Sequence, residues 1–85
     1  MSAFEQAQKD VKTLSHRPDN DEMLALYAHY KQATDGDAHG DRPGLFDLVG
    51  RAKFDAWSAL KGMTKADAEA AYIKKVEKLL AADRR

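Results

Sequence analysis

The sequence predicts an all-α fold, for three reasons. Ala, Leu, Lys, Glu and Gln dominate the chain, and residues that favour strands are few. Apolar residues recur at spacings of three and four in four separate stretches, which is the period of a helix with one buried face. Pro18, Gly36, Gly62 and the glycine-rich segment before Arg51 fall between those stretches, where helices have to stop.

The first helix is expected over about 3 to 14, opened by the capping box Ser2-x-x-Glu5 and carrying Phe4, Ala7, Val11 and Leu14 on one side. Pro18 breaks the helical path. Asp19, Asn20, Asp21 and Glu22 then offer a side-chain cap and negative charge where a new helix dipole is positive, so a second helix starts near 20. Its stripe is Met23, Leu26, Tyr27, Tyr30 and Ala33, and Gly36 suits a left-handed C-terminal cap. From Asp35 to Gly50 the chain reads as a long loop whose Leu45, Phe46 and Leu48 are expected to pack back onto the helices. A third helix runs from Arg51 to Leu60 through Ala52, Ala56, Ala59 and Leu60, closed by Gly62. Thr64 caps a fourth, about 65 to 83, whose face holds Ala68, Tyr72, Ile73, Val76, Leu79 and Leu80.

Bulk properties narrow the function. Eighty-five residues support one core, so residues 1–85 are expected to form a single domain. Cys is absent, which removes disulfides, thiolate metal sites and thiol nucleophiles. Lys plus Arg equal Asp plus Glu at 14 each, so the general positive field of a nucleic-acid binder is missing and any anion site has to be a local cluster. No apolar run approaches the roughly 20 residues that span a bilayer, so stable membrane insertion is not expected. Met1-Ser2-Ala3-Phe4-Glu5 lacks the basic and apolar regions of a signal peptide, and a cytoplasmic location is expected.

One cluster stands out chemically. Tyr27, Tyr30 and Lys31 are three and four residues apart on the second helix, which places two phenols and an ammonium side by side. Lys53 lies beside Phe54 and Trp57 on the third helix, and Tyr72 sits on the fourth. Lysines bring charge to phosphates, rings stack on a base, and phenolic hydroxyls bond to phosphate or ribose, so the set suits a nucleotide with an apolar attachment. Tyrosines at helical spacing equally suit a core, and surface lysines are ordinarily solvated; residue physics leaves both readings open. Trp57 by itself reads as core, and Lys12 reads as an exposed charge. His16, His29 and His39 lack the spacing of a metal pair, and no nucleophile elbow or phosphate-cradling glycine loop is present, so neither metal nor catalysis is expected.

The string Leu26-Tyr27-Ala28-His29-Tyr30-Lys31-Gln32-Ala33-Thr34-Asp35-Gly36-Asp37, followed by Arg42-Pro43-Gly44, resembles the signature of the acyl-CoA binding protein family. AKFDAWSALKGMTKADAEAAYIKKVEKL, from Ala52 to Leu79, is similar to that family's third and fourth helices. The resemblance covers Phe4 to about Leu80. It implies a four-helix up-down-down-up bundle in which the long loop between helices two and three is a crossover. It implies non-catalytic binding and intracellular transport or buffering of medium- to long-chain acyl-CoA by a monomer, with no cofactor. By resemblance Tyr27, Lys31 and Lys53 hold the adenosine 3′-phosphate and its neighbours, Tyr30 and Tyr72 line the nucleotide site, and Lys12 reaches the ligand. Phe4, Ala7, Met23 and Leu24 are expected in the acyl groove.

Two positions depart from the family pattern. Phe54 stands where Trp is usual, which keeps an aromatic body and loses an indole donor. Val49 stands where many members carry Lys, which is expected to remove one phosphate contact, with Arg51 close enough to supply the charge. The alternative function is a helical protein-interaction module whose apolar groove takes a partner helix.

Overall fold

The computed structural model describes residues 2–84, and among them the regular structure is entirely helical. Helix α1 spans Ala3–Asp10, α2 Asn20–Asp35, α3 Leu48–Ser58 and α4 Lys65–Asp83, with a 3₁₀ turn over Val11–Thr13 extending α1. Three of the starts are those read from local chemistry. Ser2 Oγ accepts from the Glu5 amide at 3.0 Å while Glu5 Oε1 reaches back to the Ser2 amide at 3.4 Å. Asp19 accepts from the Glu22 amide at 2.8 Å and Thr64 from the Asp67 amide at 3.1 Å. Each satisfies a donor that the first helical turn cannot pair internally.

Helix α3 begins three residues earlier than the glycine spacing suggested. Asp47 caps it by accepting from the Gly50 amide at 2.9 Å, so Leu48, Val49 and Gly50 form its first turn rather than the end of a loop. It also stops at Ser58, and Ala59 to Gly62 continue as tight turns.

The helices pack in the spatial order α1, α4, α2, α3: α4 lies between α1 and α2, and α3 rests on α2 alone. The molecule measures 39 × 27 × 18 Å, and its least dimension is about the thickness of two helices. The core lies where α1, α2 and α4 meet, built from Phe4, Ala7, Leu26, Ala33, Ala68, Tyr72 and Val76, with Ile73, Leu79 and Leu80 packed against it. Small residues at 33 and 68 let the backbones approach. Gln32, fully buried, ties three segments together: its Nε2 donates to Asp37 Oδ1 and to the Met63 carbonyl, both at 2.8 Å, and Asp37 Oδ1 also accepts from the Gly62 amide at 2.8 Å.

The loop between α2 and α3 is held by polar ties, and here the expectation of apolar packing fails. Leu45, Phe46 and Leu48 are exposed, Phe46 completely. Arg42 instead grips Asp55 through a two-pronged contact at 3.0 and 2.8 Å, and Arg51 Nε donates to the Pro43 and Gly44 carbonyls at 2.9 and 3.0 Å. Those arginines fix the path of the loop from α3, and α3 has no second helix behind it to offer an apolar bed.

Candidate functional site

Because α1 and α2 both pack on α4 but not closely on each other, a furrow opens between them; because α3 rests only on α2, a second one opens on the far side. The first is an open cavity of about 450 Å³ walled by Val11, Lys12 and Leu14 from the α1 side and Met23, Leu26, Tyr27 and Tyr30 from α2, with Tyr72 of α4 as its third wall. His16, Arg17 and Pro18 close one end. The second, about 480 Å³, lies between Met23, Leu24 and Tyr27 of α2 and Leu48, Val49, Ala52 and Lys53 of α3, with Arg17 and Asn20 at its border. Both cavities share Arg17, Met23 and Tyr27, so they adjoin.

The tyrosines of the first cavity are braced from behind. Phe4 lies 6.1 Å from the Tyr30 ring and meets Tyr72 edge-on at 5.2 Å, while Tyr30 and Tyr72 are 6.5 Å apart. Tyr72 is buried, and burial, followed by the neighbouring Tyr30, pushes its phenol above the ordinary tyrosine range. It is therefore a neutral hydroxyl at physiological pH. Tyr30 keeps its ring on the rim, partly open to water.

Lys53 reaches back over α2, with Nζ 5.1 Å from the centre of the Tyr27 ring. Lys31 lines neither cavity. Its Nζ bonds to the Asp35 carboxylate one turn along α2 and stands 4.9 Å from the centre of the Trp57 ring. The bond to Asp35, chiefly, raises the Lys31 pKa and lowers that of Asp35. Trp57 is core, as its composition of neighbours requires: buried, with Nε1 donating to the Gly36 carbonyl at 2.7 Å and Phe54 edge-on at 6.2 Å. Phe54 thus retains the aromatic packing expected of it.

The expected site residues separate into three places. Lys12, Tyr27, Tyr30 and Tyr72 gather at the first cavity, and Lys53, Met23 and Leu24 at the second, with Met23 and Tyr27 common to both. Lys31 stands apart over Trp57. Phe4 and Ala7, expected in the acyl groove, are core residues that line neither cavity, because the face of α1 that carries them is spent on packing against the core. Arg51, expected to supply the charge missing at Val49, lines neither cavity, and its Nε donates to the loop carbonyls. Val49 itself is exposed and adds apolar surface to the second cavity. Arg17, unremarked in the sequence, touches both cavities; the signal was a cation directly before Pro18, at the entry to α2. His29 Nδ1 donates to the Ala25 carbonyl at 2.7 Å, and His39 packs edge-on against Trp57. Among the described residues no three His, Asp or Glu side chains gather at a metal-sized site.

The family model described as Acyl CoA binding protein matches residues 1–76. The chain belongs to the acyl-CoA binding protein family. It is 52% identical over 79 residues to acyl-CoA-binding protein homolog 1 of Caenorhabditis elegans, covering 93% of this chain and 92% of the relative. Against the acyl-CoA-binding protein of Dictyostelium discoideum the identity is 46% over 79 residues, 93% of this chain and 94% of that one. A crystal structure of Oryza sativa acyl-CoA-binding protein 2 superposes with a TM-score of 0.92 at 43% identity, covering 98% of this chain and 90% of that one. One of the Moniliophthora perniciosa acyl-CoA binding protein gives 0.90 at 37% identity, covering all of this chain and 86% of that one. The four helices are accordingly those of the family's up-down-down-up bundle, and the segment between α2 and α3 is its crossover.

Proposed function

We propose that the protein binds medium- to long-chain fatty acyl-CoA esters and carries or buffers them in the cytoplasm, as a monomer and without chemical change. The observation that supports this best is the adjoining of two cavities across Tyr27, each with cations beside apolar walls: the first has Lys12 and Arg17 with the rings of Tyr30 and Tyr72, the second Arg17 and Lys53 with Met23, Leu24, Leu48, Val49 and Ala52. An amphiphile with a nucleotide head and a hydrocarbon tail fits that pair. In this reading the base enters the first cavity against Tyr30 and Tyr72, Lys12 faces its phosphates from the rim, and the tail follows the second between Met23, Leu24 and Val49. Lys53, already over Tyr27, and Lys31, over Trp57, meet the 3′-phosphate from the α3 side.

Each half has a separate task. Burial of the tail stabilises the complex by roughly 0.8 kcal/mol per CH₂, or about 10 kcal/mol gross for a dozen methylenes before ordering costs. Tail length should therefore dominate affinity. The head selects CoA esters over free acids, because without it the lysines lose their partners. A partner helix in the second cavity, the alternative, would account for its apolar wall but leave the neighbouring phenols and lysines without a use.

Titration calorimetry tests the proposal. A sixteen-carbon acyl-CoA should bind tightly, free CoA far more weakly, and the free acid hardly at all; equal affinity for CoA and its long acyl ester would refute a two-part site.

A further inference from the structure

We infer that Arg17 is a ligand-binding residue, gripping the pyrophosphate of the CoA arm where that arm crosses from the nucleotide cavity to the acyl trough. The inference rests on the acyl-CoA reading and adds to it a residue and a subsite.

Position comes first. Of the residues lining both cavities, Arg17, Met23 and Tyr27, only Arg17 is charged; Lys12 borders the first cavity alone and Lys53 the second alone. A ligand with its base in one cavity and its tail in the other has to pass this junction. In an acyl-CoA the atoms between base and tail are the ribose, the pyrophosphate and the pantetheine arm, and the pyrophosphate is the anionic part of that bridge. A guanidinium presents a planar fork of donors that matches paired phosphate oxygens, which a lysine does not.

Availability comes second. Arg42 is paired with Asp55 and Arg51 with loop carbonyls, but no ion pair or side-chain hydrogen bond engages Arg17 among the described residues. Arg17 also borders a hollow rimmed by Asp19, Glu22 and Asp83, so the competing role is general neutralisation of that acidic rim.

The mount comes third. The short connection that carries Arg17 is fixed on both sides. Asp83, at the end of α4, accepts from the Ser15 amide at 3.1 and 3.2 Å and from Ser15 Oγ at 2.7 Å. On the other side Pro18 restricts the backbone and Asp19 caps α2. An exposed side chain on an anchored backbone loses less freedom on binding than one on a free loop.

Calorimetry with wild type, Arg17→Ala and Arg17→Lys against three ligands decides the matter: octanoyl-CoA, octanoyl-3′-dephospho-CoA and S-octanoyl-pantetheine, which lacks the pyrophosphate. Arg17→Ala should weaken both CoA ligands by roughly tenfold or more and to the same extent, and leave the pantetheine ester unaffected, as loss of a charge-assisted contact requires. Arg17→Lys should recover only part of the loss. Unchanged binding of octanoyl-CoA by Arg17→Ala would overturn the inference, as would a loss that disappears with the dephospho ligand or that extends equally to the pantetheine ester. If the wild type fails to bind octanoyl-CoA and longer esters at all, the acyl-CoA reading falls and takes this one with it; if the wild type binds and the variants match it, only the role of Arg17 falls.

Discussion

Replacing Trp57 by Phe tests the seam that joins α3 to the rest of the protein. Trp57 is 6% exposed, and its indole Nε1 donates to the Gly36 carbonyl at 2.7 Å, where Gly36 ends α2 with φ +80°. Phe keeps an aromatic body between Phe54 and His39 but carries no donor, so the Gly36 carbonyl is left unpaired in a half-buried position, at a cost of about 1–2 kcal/mol. The smaller ring also leaves a void, worth roughly 1 kcal/mol more. The sum, about 2–3 kcal/mol, corresponds to a fall in Tm of roughly 10–20 °C for a domain of this size. Because Trp57 is the single tryptophan, unfolding should be followed by circular dichroism in urea and on heating rather than by indole fluorescence. Binding should suffer far less than stability, since Lys31 keeps its bond to Asp35 and a ring beneath it. A midpoint within a degree or two of wild type would show that the Gly36 bond does not hold the α2–α3 seam, and the account of α3 as a helix supported from one side only would have to be abandoned.

Lys31→Ala should weaken CoA binding while leaving the circular dichroism spectrum and melting profile close to wild type, because a charge beside the seam contributes little to the core; unaltered affinity would remove Lys31 from the site. Asp35, Asp37, Asp55 and Asp83 are all held below the ordinary carboxylate value of 3.8, each chiefly by a hydrogen bond, from Lys31, the Gly62 amide, Arg42 and the Ser15 hydroxyl respectively. A folded pKa below the unfolded one contributes stability that is fully present above the unfolded value and is lost as pH falls through the folded one. Urea midpoints should therefore hold steady down to about the unfolded carboxylate range and drop below it, and Asp83→Asn should shallow that drop; a steady midpoint through strong acid would contradict the assignment. Tyr72, raised above 10.0 chiefly by burial, should contribute a late step to an ultraviolet titration, and Tyr72→Phe should remove that step.

Local signals carried far into this structure, and their failures share a cause. Ser2, Asp19 and Thr64 were legible as caps because a cap is a contact between residues three apart. Asp47 makes the same contact with Gly50, but a glycine in a glycine-rich stretch carries the signal of a loop, which hides the three residues by which α3 precedes Arg51. The pair Lys31 and Asp35 also lies within one turn of helix, so the sequence contained it. Leu45 and Phe46, expected to pack back onto the helices, stay exposed in the turn before α3, because α3 packs on one neighbour and supplies no apolar bed.

The all-α class, the four helical segments, most of their caps and the helix turns that carry the phenols and lysines can be read along the chain, because all of these depend on interactions between residues a few positions apart. Which of those groups share a cavity is settled by the packing of the helices. That Phe4 and Ala7 serve the core, that Tyr72 lines the same furrow as Tyr27, that Lys53 leans over Tyr27 while Lys31 lies over Trp57, and that Arg17 stands at the junction all follow from the packing order α1, α4, α2, α3. That order is fixed by which apolar faces bury one another, and periodicity records that a helix has such a face without recording its partner.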